Sequence, residues 1–360
     1  MVKSLFLTGI GVCGKTVLSY GLITKFKQEG IKTTYFKPVT VVRKRILIEE
    51  EVSVDSDVLT MKEALGLPEP FDVISPCSLP EKYIDIEVLG KKSEFESQIR
   101  EAFKEISSNK DLVIVEGHKS PDALFSVGLS DPQVAKILGS KMLLVTVYDD
   151  ELAIDQLLAH KHFIEMHNVE LIGVILNNVP LEMVKRAEET VAQFLNQKGL
   201  KVLGVIPQRA ELTAPTVREI AGTLEAEILE GEEYLDNVVE DILCGAMSPE
   251  AALRWFRRTV NCLIVTGGDR TDLILTALET KPSAIVLTGN LYPTVKVLTM
   301  AREKKVPVLL VPYDTYTTVE LLRKAQSVVT AETLKKKHSM IEQAISEHVS
   351  WREILKNVLG

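Results

Sequence analysis

Apolar residues fall along this chain in two rhythms that alternate. A mostly apolar run from Val2 to Leu7 is followed, after a glycine-rich turn, by apolar positions at helical spacing from Val17 to Phe26. Further short, continuous apolar runs are "TTYFKPV" from Thr33, "DLVIVEG" from Asp111, "KMLLVTV" from Lys141, "ELIGVILNNVP" from Glu170 and "LKVLGVIP" from Leu200. Between them lie amphipathic stretches at Glu94 to Ser107, Glu151 to Met166 and Leu181 to Gln197. Strands that alternate with helices predict a parallel sheet covered on both faces, and continuous apolar runs predict strands buried on both sides.

The pattern restarts after Pro207. "TVREIAGTLEAEILEG" predicts a helix and a short strand, and "VNCLIVTGGDRTDLILTALE" repeats strand, glycine turn and helix. "SAIVLTG" and "VPVLLVP" add buried strands, with "TVKVLTMAREKK" and "TTVELLRKAQ" as helices. The expected organisation is an α/β P-loop domain over residues 1–210, a smaller α/β domain over 211–330 and a helical tail over 331–360. Ser350 and Glu353 have the spacing of a capping box for the last helix.

Composition narrows the function classes. The chain has 360 residues, 46% of them hydrophobic, which is ample for two or three cores. A net charge of -8 argues against a nucleic-acid partner, because a phosphate backbone rewards clustered Lys and Arg. The run "VRKRI" from Val42 to Ile46 is too short to change that, and "LKKKH" from Leu334 to His338 reads as a solvated helix face. No apolar stretch is long enough to span a membrane, and the N-terminus runs straight into a predicted strand, so a cytoplasmic location is expected. Cys13, Cys77, Cys244 and Cys262 show no metal-ligand spacing and read as reduced thiols. His160, His162 and His167 also lack ligand spacing and read as residues of a solvated helix.

The chemistry-bearing motif is "GIGVCGKT". Gly9, Gly14, Lys15 and Thr16 satisfy the P-loop pattern G-x-x-x-x-G-K-[ST]. In such a loop the backbone N–H groups from Gly9 through Gly11, Val12, Cys13 and on to Val17 surround a phosphate at a helix N-terminus. Lys15 would neutralise the β- and γ-phosphates, and the Thr16 hydroxyl would ligate Mg²⁺. Glu116 ends the buried run "LVIVE", which puts a carboxylate at the C-terminal edge of the sheet, where open α/β sheets bind ligands. Asp57, in "VDSD", suits the cap of the helix that follows. Gly267, Gly268, Asp269, Arg270 and Thr271 form a second glycine turn opening a helix. It reads either as a site for a small anion or nucleotide, with Arg270 as its cation, or as a turn pinned by an Asp-Arg salt bridge.

These motifs carry a resemblance. "TGIGVCGKT" (Thr8–Thr16), "YFKPV" (Tyr35–Val39), "DSDVLTM" (Asp55–Met61), "IVEG" (Ile114–Gly117), "LNNVP" (Leu176–Pro180) and "LGVIP" (Leu203–Pro207) resemble dethiobiotin synthetase and the N-terminal region of long bacterial phosphotransacetylases. "TGGDRTDLILTAL" (Thr266–Leu278) and "AIVLTGNLYPT" (Ala284–Thr294) resemble the DRTGG domain of those phosphotransacetylases. The resemblance implies ATP and Mg²⁺ as cofactors, with Thr16, Asp57 and Glu116 holding the metal. It further implies that Asn177 reads adenine, that Pro207 joins the nucleotide-binding set, and that Lys37 acts beside Lys15 as a substrate-contacting lysine. The nucleotide half matches, whereas the substrate half departs from the synthetase at Gly11 to Cys13, Thr40 to Val42 and His118 to Pro121. The thirty residues after 330 leave no room for an acetyltransferase domain.

The expectation is therefore an ATP- and Mg²⁺-binding regulatory or metabolite-sensing protein, forming a homodimer or higher homo-oligomer. The alternatives are an ATP-dependent ligase of the dethiobiotin synthetase type and a structural partner of a separate acyltransferase.

Overall fold

The computed structural model describes residues 2–42, 46–48, 52–85, 88, 90–209, 212, 214–325 and 329–360. The basic residues 43–45 and the expected domain boundary at 210–211 lie outside them. The chain divides into two compact units, one made of residues 1–208 and 329–360 and the other of residues 209–328.

The first unit is built on a six-stranded sheet. Its strands are β1 (Lys3–Ile10), β2 (Thr33–Phe36), β7 (Leu112–Glu116), β8 (Lys141–Val147), β9 (Leu171–Val179) and β10 (Val202–Pro207), in the order β10-β9-β8-β1-β7-β2. Every pairing is parallel. Two small ladders sit apart from it: β3 (Val39–Val42) pairs in parallel with β6 (Cys77–Pro80), and β4 (Ile46–Ile48) pairs antiparallel with β5 (Val52–Val54). The core of β1 and all of β7 are buried, as continuous apolar runs require when helices cover both faces. β1 lies between β8 and β7, so the loop that leaves it opens at the middle of the sheet.

The helix after that loop, α1 (Lys15–Gln28), is apolar on more than one side, burying Leu18, Tyr20, Leu22, Ile23 and Phe26. It lies against the sheet on one side and against the helix His338–His348 on the other. Gly21 is the contact point, since a Cβ there would lie 2.7 Å from Ile345 Cγ1 and 2.9 Å from Ile341 Cγ2. Tyr20 and the His338 Nδ1 atom are hydrogen-bonded at 3.2 Å.

The helical C-terminal tail thus packs as part of the first unit. The helix Ala331–Lys336 packs on α2 (Ser56–Leu65), and Val349 bridges Gly204 along the outer edge of β10. In "LKKKH", Leu334 and Lys337 are buried while Lys335 and Lys336 face solvent, so only part of that face is solvated. The capping box expected at Ser350 does not form: the Ser350 side chain caps nothing, and Glu353 pairs with Lys201. The stretch 181–197 is also not one regular helix, because a π-helical turn at Ala187–Val191 interrupts it.

The second unit holds β11 (Glu227–Glu230), β12 (Asp241–Cys244), β13 (Cys262–Gly267), β14 (Ala284–Thr288) and β15 (Val308–Leu310), in the order β11-β15-β14-β13-β12. Only β11 runs antiparallel. Alternate residues of β13 feed two cores, Leu263 and Val265 packing with Val217, Ile220 and Leu322, and Ile264 with Leu273, Ala277 and Val297. The architecture is thus the expected one, a parallel P-loop sheet with helices followed by a smaller α/β unit.

Gly21→Val would force branched carbon into Ile341 and Ile345. Overpacking of this kind costs about 1 to 3 kcal/mol. The expected outcome is a lower urea midpoint with an unchanged slope.

Candidate functional site

The phosphate loop is shaped by three glycines with different needs. Gly11 and Gly14 have φ of 66° and 77°, a region costly for residues with a side chain. Gly9 is excluded from carrying a side chain by space, because a Cβ there would collide with Cys13 Sγ. The loop is also tied to its neighbours: Gly11 N donates to Lys119 O at 2.7 Å, and Asn177 Nδ2 donates to Cys13 O at 2.8 Å. Val12 stands out at the loop tip, whereas Cys13 is buried and burial pushes its thiol up. Lys15 is buried as the first residue of α1, its ammonium 3.8 Å from Cys13 Sγ, and Val17 follows one turn inside the helix.

A polar cluster is assembled beside this loop by strand register. Leu7 pairs with Glu116 and Phe36 with Val115, which brings Lys37, just beyond β2, alongside Glu116 at the end of β7. Glu116 is only 2% exposed and accepts from Thr16 Oγ1 at 3.0 Å and from Tyr35 OH at 3.2 Å. The Lys37 ammonium lies 2.6 Å from Asp57 Oδ2, 3.1 Å from Asp55 Oδ1 and 3.5 Å from Glu116 Oε1. Asp55 is the N-cap of α2, accepting from Asp57 N and Val58 N, so capping and charge pairing are divided between two aspartates of "VDSD".

Three charges in this cluster are displaced from their ordinary equilibria. Burial works against the Lys37 ammonium, but Asp57, Glu116 and Asp55 override it and hold the group protonated well above the ordinary lysine range. Burial likewise opposes the Asp57 carboxylate, yet Lys37 keeps its pKa below the usual value. At Glu116 the balance tips the other way: burial, with Asp57 adding, outweighs Lys37, Lys15 and Thr16, and raises it.

Thr16, Asp57, Glu116 and Lys37 are thus together, next to Lys15. Asp55 and Tyr35 were not singled out from the sequence. Tyr35 could have been, since it lies two residues before Lys37 on an extended segment and so shares its face. A further network was also missed. Asp131, fully buried, accepts from Thr8 Oγ1 at 2.6 Å, from His118 N at 3.0 Å, and shares a 2.7 Å hydrogen bond with His118 Nδ1. Asn177 ends its pairing with β8 opposite Val147, and Asn178, with φ of 52°, still lies within β9. Pro207 closes β10 opposite Val179, three strands from β1.

In the second unit, Gly267 and Gly268 lack side chains for reasons of packing. A Cβ on Gly268 would collide with the Leu291 carbonyl oxygen, and one on Gly267 would lie 2.5 Å from Asp269 Oδ1. Arg270 donates to Met247 O at 3.0 Å and lies 3.8 Å from Asp272, so its partner is Asp272 and not Asp269. Thr271 begins the helix Thr271–Glu279.

Among the described residues, no three His, Cys, Asp or Glu side chains form a metal-binding group of their own. The Thr16 hydroxyl with the Asp57 and Glu116 carboxylates does supply the hard oxygen donors that Mg²⁺ takes. Lys37 is the cation that these carboxylates hold. No helix among the described residues is long and apolar enough to cross a membrane.

Residues 3–216 match the AAA domain family AAA_26, and residues 219–325 match the DRTGG domain. The phosphate acetyltransferase of Pseudomonas aeruginosa is 25% identical over 375 residues, covering 98% of this chain and 51% of the relative. That of Synechocystis sp. is 26% identical over 311 residues, covering 81% and 42%. The chain spans about half the length of these curated relatives. Among solved structures, the CBS and DRTGG domains of the regulatory region of Clostridium perfringens pyrophosphatase, complexed with the activator diadenosine tetraphosphate, are 19% identical. That match covers 42% of this chain and 72% of that one, with a TM-score of 0.29. The MinD cell division protein of Aquifex aeolicus is 20% identical, with 59% and 84% covered and a TM-score of 0.34. The chain belongs to the AAA_26 family of AAA domains and joins that P-loop domain to a DRTGG domain, as in the N-terminal region of the phosphate acetyltransferases.

Proposed function

We propose that this chain is a cytoplasmic ATP- and Mg²⁺-binding regulatory protein, in which the first unit takes the nucleotide and the DRTGG unit responds to a small metabolite. The observation that carries this reading is the continuity of the phosphate loop with the Thr16, Glu116, Asp57 and Lys37 cluster. Lys15 would meet the β- and γ-phosphates, and the loop's backbone N–H groups would share that charge. Thr16, Asp57 and Glu116 would hold Mg²⁺, which would supply charge neutralisation beside the phosphates. Lys37 would then be free to turn to the phosphates or to an anion beside them. Asn177 already spends one amide hydrogen on Cys13 O, which leaves its carbonyl and second hydrogen for an adenine edge.

A ligase of the dethiobiotin synthetase type has one observation in its favour, the placement of Lys37. Against it stands the stretch after Glu116, where the synthetase is expected to have small residues and where this chain puts His118, anchored to Asp131. A misplacement of about 1 Å in a reacting group can cost on the order of a hundredfold in rate. The regulatory role and any partnership with an acyltransferase rest on the family likeness.

Lys15→Ala should bind ATP about thirty- to hundredfold more weakly by calorimetry, the equivalent of about 2 to 3 kcal/mol for a desolvated charge-assisted contact. Unchanged affinity in the folded variant would refute the nucleotide reading.

Lys37→Met probes the acidic cluster through pH. Without the ammonium, the buried Glu116 carboxylate is uncompensated at neutral pH, a defect that costs about 3 to 5 kcal/mol. Glu116 has a raised pKa in the folded state, so its penalty is absent at low pH and grows as pH rises through that value. Asp57 has a lowered one, so the stability it draws from Lys37 is present above its unfolded pKa and lost as pH falls through the folded value. The Glu116 part of the variant's deficit in urea unfolding is therefore large at pH 7 and shrinks toward pH 4, whereas the Asp57 part persists until the pH falls below its lowered value, so the deficit is smaller near pH 4 than at pH 7. Millimolar Mg²⁺ should restore part of it at pH 7, and no restoration would argue against metal binding there.

With 7,8-diaminopelargonate and bicarbonate, no dethiobiotin should appear by mass spectrometry. Its diamine-dependent formation together with ADP would establish the ligase instead.

A further inference from the structure

We propose that the first unit has a second binding site, for a small organic anion, in the cleft where α1 and α2 end. The cleft encloses about 350 Å³ and is lined by the close of α1 and the segment after it, by the close of α2, and by residues 109–110 before β7. That volume falls within the range of small-molecule sites. It is a different place from the phosphate loop. α1 has 14 residues, so at 1.5 Å per residue its two ends are separated by about 21 Å.

Charge gives the site its sign. Lys27, Lys32 and Lys110 line the cleft and no acidic residue does, in a chain whose net charge is -8. Lys110 pairs with Glu69 at 3.4 Å, just outside the lining. Lys27 and Lys32 have no carboxylate within ion-pair distance among the described residues, and the nearby Asp111 is engaged by the backbone N–H of Lys32. Burial, and then repulsion from Lys110, depress the Lys27 pKa, and the Glu69 carboxylate beyond the lining offsets them only in part, so an anion placed between the two lysines would relieve both.

A buried hydroxyl gives an independent indication. Thr34 lines the cleft and is fully buried, yet its Oγ1 has no hydrogen-bond partner among the described residues. Buried polar groups are almost always paired, and an orphan next to a cavity marks a place for a partner from outside the chain. Leu65, Leu67 and Pro68 add apolar surface to the same lining. Cations, a hydroxyl and apolar surface together fit a carboxylate or phosphate ester on a short carbon skeleton, and suit a bare inorganic ion less well.

The experiment is an amide chemical-shift titration of the full-length chain, with Gly30 and Gly66 as reporters on the cleft wall. Glycerol 3-phosphate and butyrate serve as probes. Each is run on the unsubstituted chain and on Lys15→Ala, so that uptake by the phosphate loop is separated from uptake by the cleft. Saturable shifts at Gly30 and Gly66 are expected with at least one probe, unchanged by Lys15→Ala and weakened about tenfold by Lys27→Gln. Thr34→Val should weaken binding severalfold while melting no lower than the unsubstituted protein, because it removes an unpaired hydroxyl without changing shape. The probe that saturates identifies phosphate or carboxylate chemistry. Linear shifts with both probes, or equal affinity in Lys27→Gln and Thr34→Val, would overturn the proposal and leave the lysines as partners of the two helix ends and Glu69. Lys15→Ala retaining full ATP affinity would refute the nucleotide reading and leave the cleft result standing.

Discussion

Everything near the phosphate loop is organised around one buried carboxylate. Glu116 ends a strand with no exposed residue, and an isolated charge in such a place would be prohibitively costly. It is tolerated because two separate segments bring it three partners: α1 gives the Thr16 hydroxyl, and β2 with the residue after it gives the Tyr35 hydroxyl and the Lys37 ammonium. Removing any of these unbalances the rest. The same carboxylate therefore fixes the distance between the helix that follows the phosphate loop and the strand two places across the sheet.

Lys37 then becomes the shared resource of the cluster. Three carboxylates surround one ammonium, an arrangement with more negative than positive charge even when Lys15 is counted nearby. Such an excess is stable only where one member is half-exposed, as Asp57 is, or where a further cation enters. The Glu116 shift is upward despite two nearby lysines because burial leads it, with the Asp57 charge adding to it. A divalent cation coordinated by oxygen would resolve the excess, and this is the physical reason for reading the cluster as a metal site even though Lys37 now occupies its centre.

Much of this was legible in the sequence because it depends on local order. "LVIVE" announces a buried strand ending in a carboxylate, and "GIGVCGKT" announces the turn and the helix that follow β1. The parallel sheet with helices followed from the alternation of apolar rhythms. What was illegible depends on contacts between distant positions. Asp131 is an ordinary first-turn aspartate by sequence, and only the fold brings Thr8 and His118 to it. The glycine pair at 267–268 reads from sequence as a cradle for an anion or as a turn pinned by an Asp-Arg pair, and the close packing of the Leu291 carbonyl against Gly268 is a constraint that no local pattern announces. Ser350 and Glu353 had the right spacing for a cap, and a lysine 152 positions away took the glutamate.

The last thirty residues show the same principle acting on the site itself. α1 carries Lys15 and Thr16 at its start and α2 carries Asp57 in its first turn, and both helices are packed on their outer sides by helices from the end of the chain. Tyr20 meets His338 across 318 positions of sequence, and Thr60 donates to Val329 O across 269. The apolar outer side of α1 would be a defect in a helix covered by the sheet alone, and Gly21 would be a needless break in a good helix-forming stretch. Both make sense once Ile341 and Ile345 are seated there. The positions of the phosphate-loop lysine and of Asp57 are thus held from behind by a segment that follows the second unit in sequence, and this clasp is why residues 329–360 belong to the fold of the first.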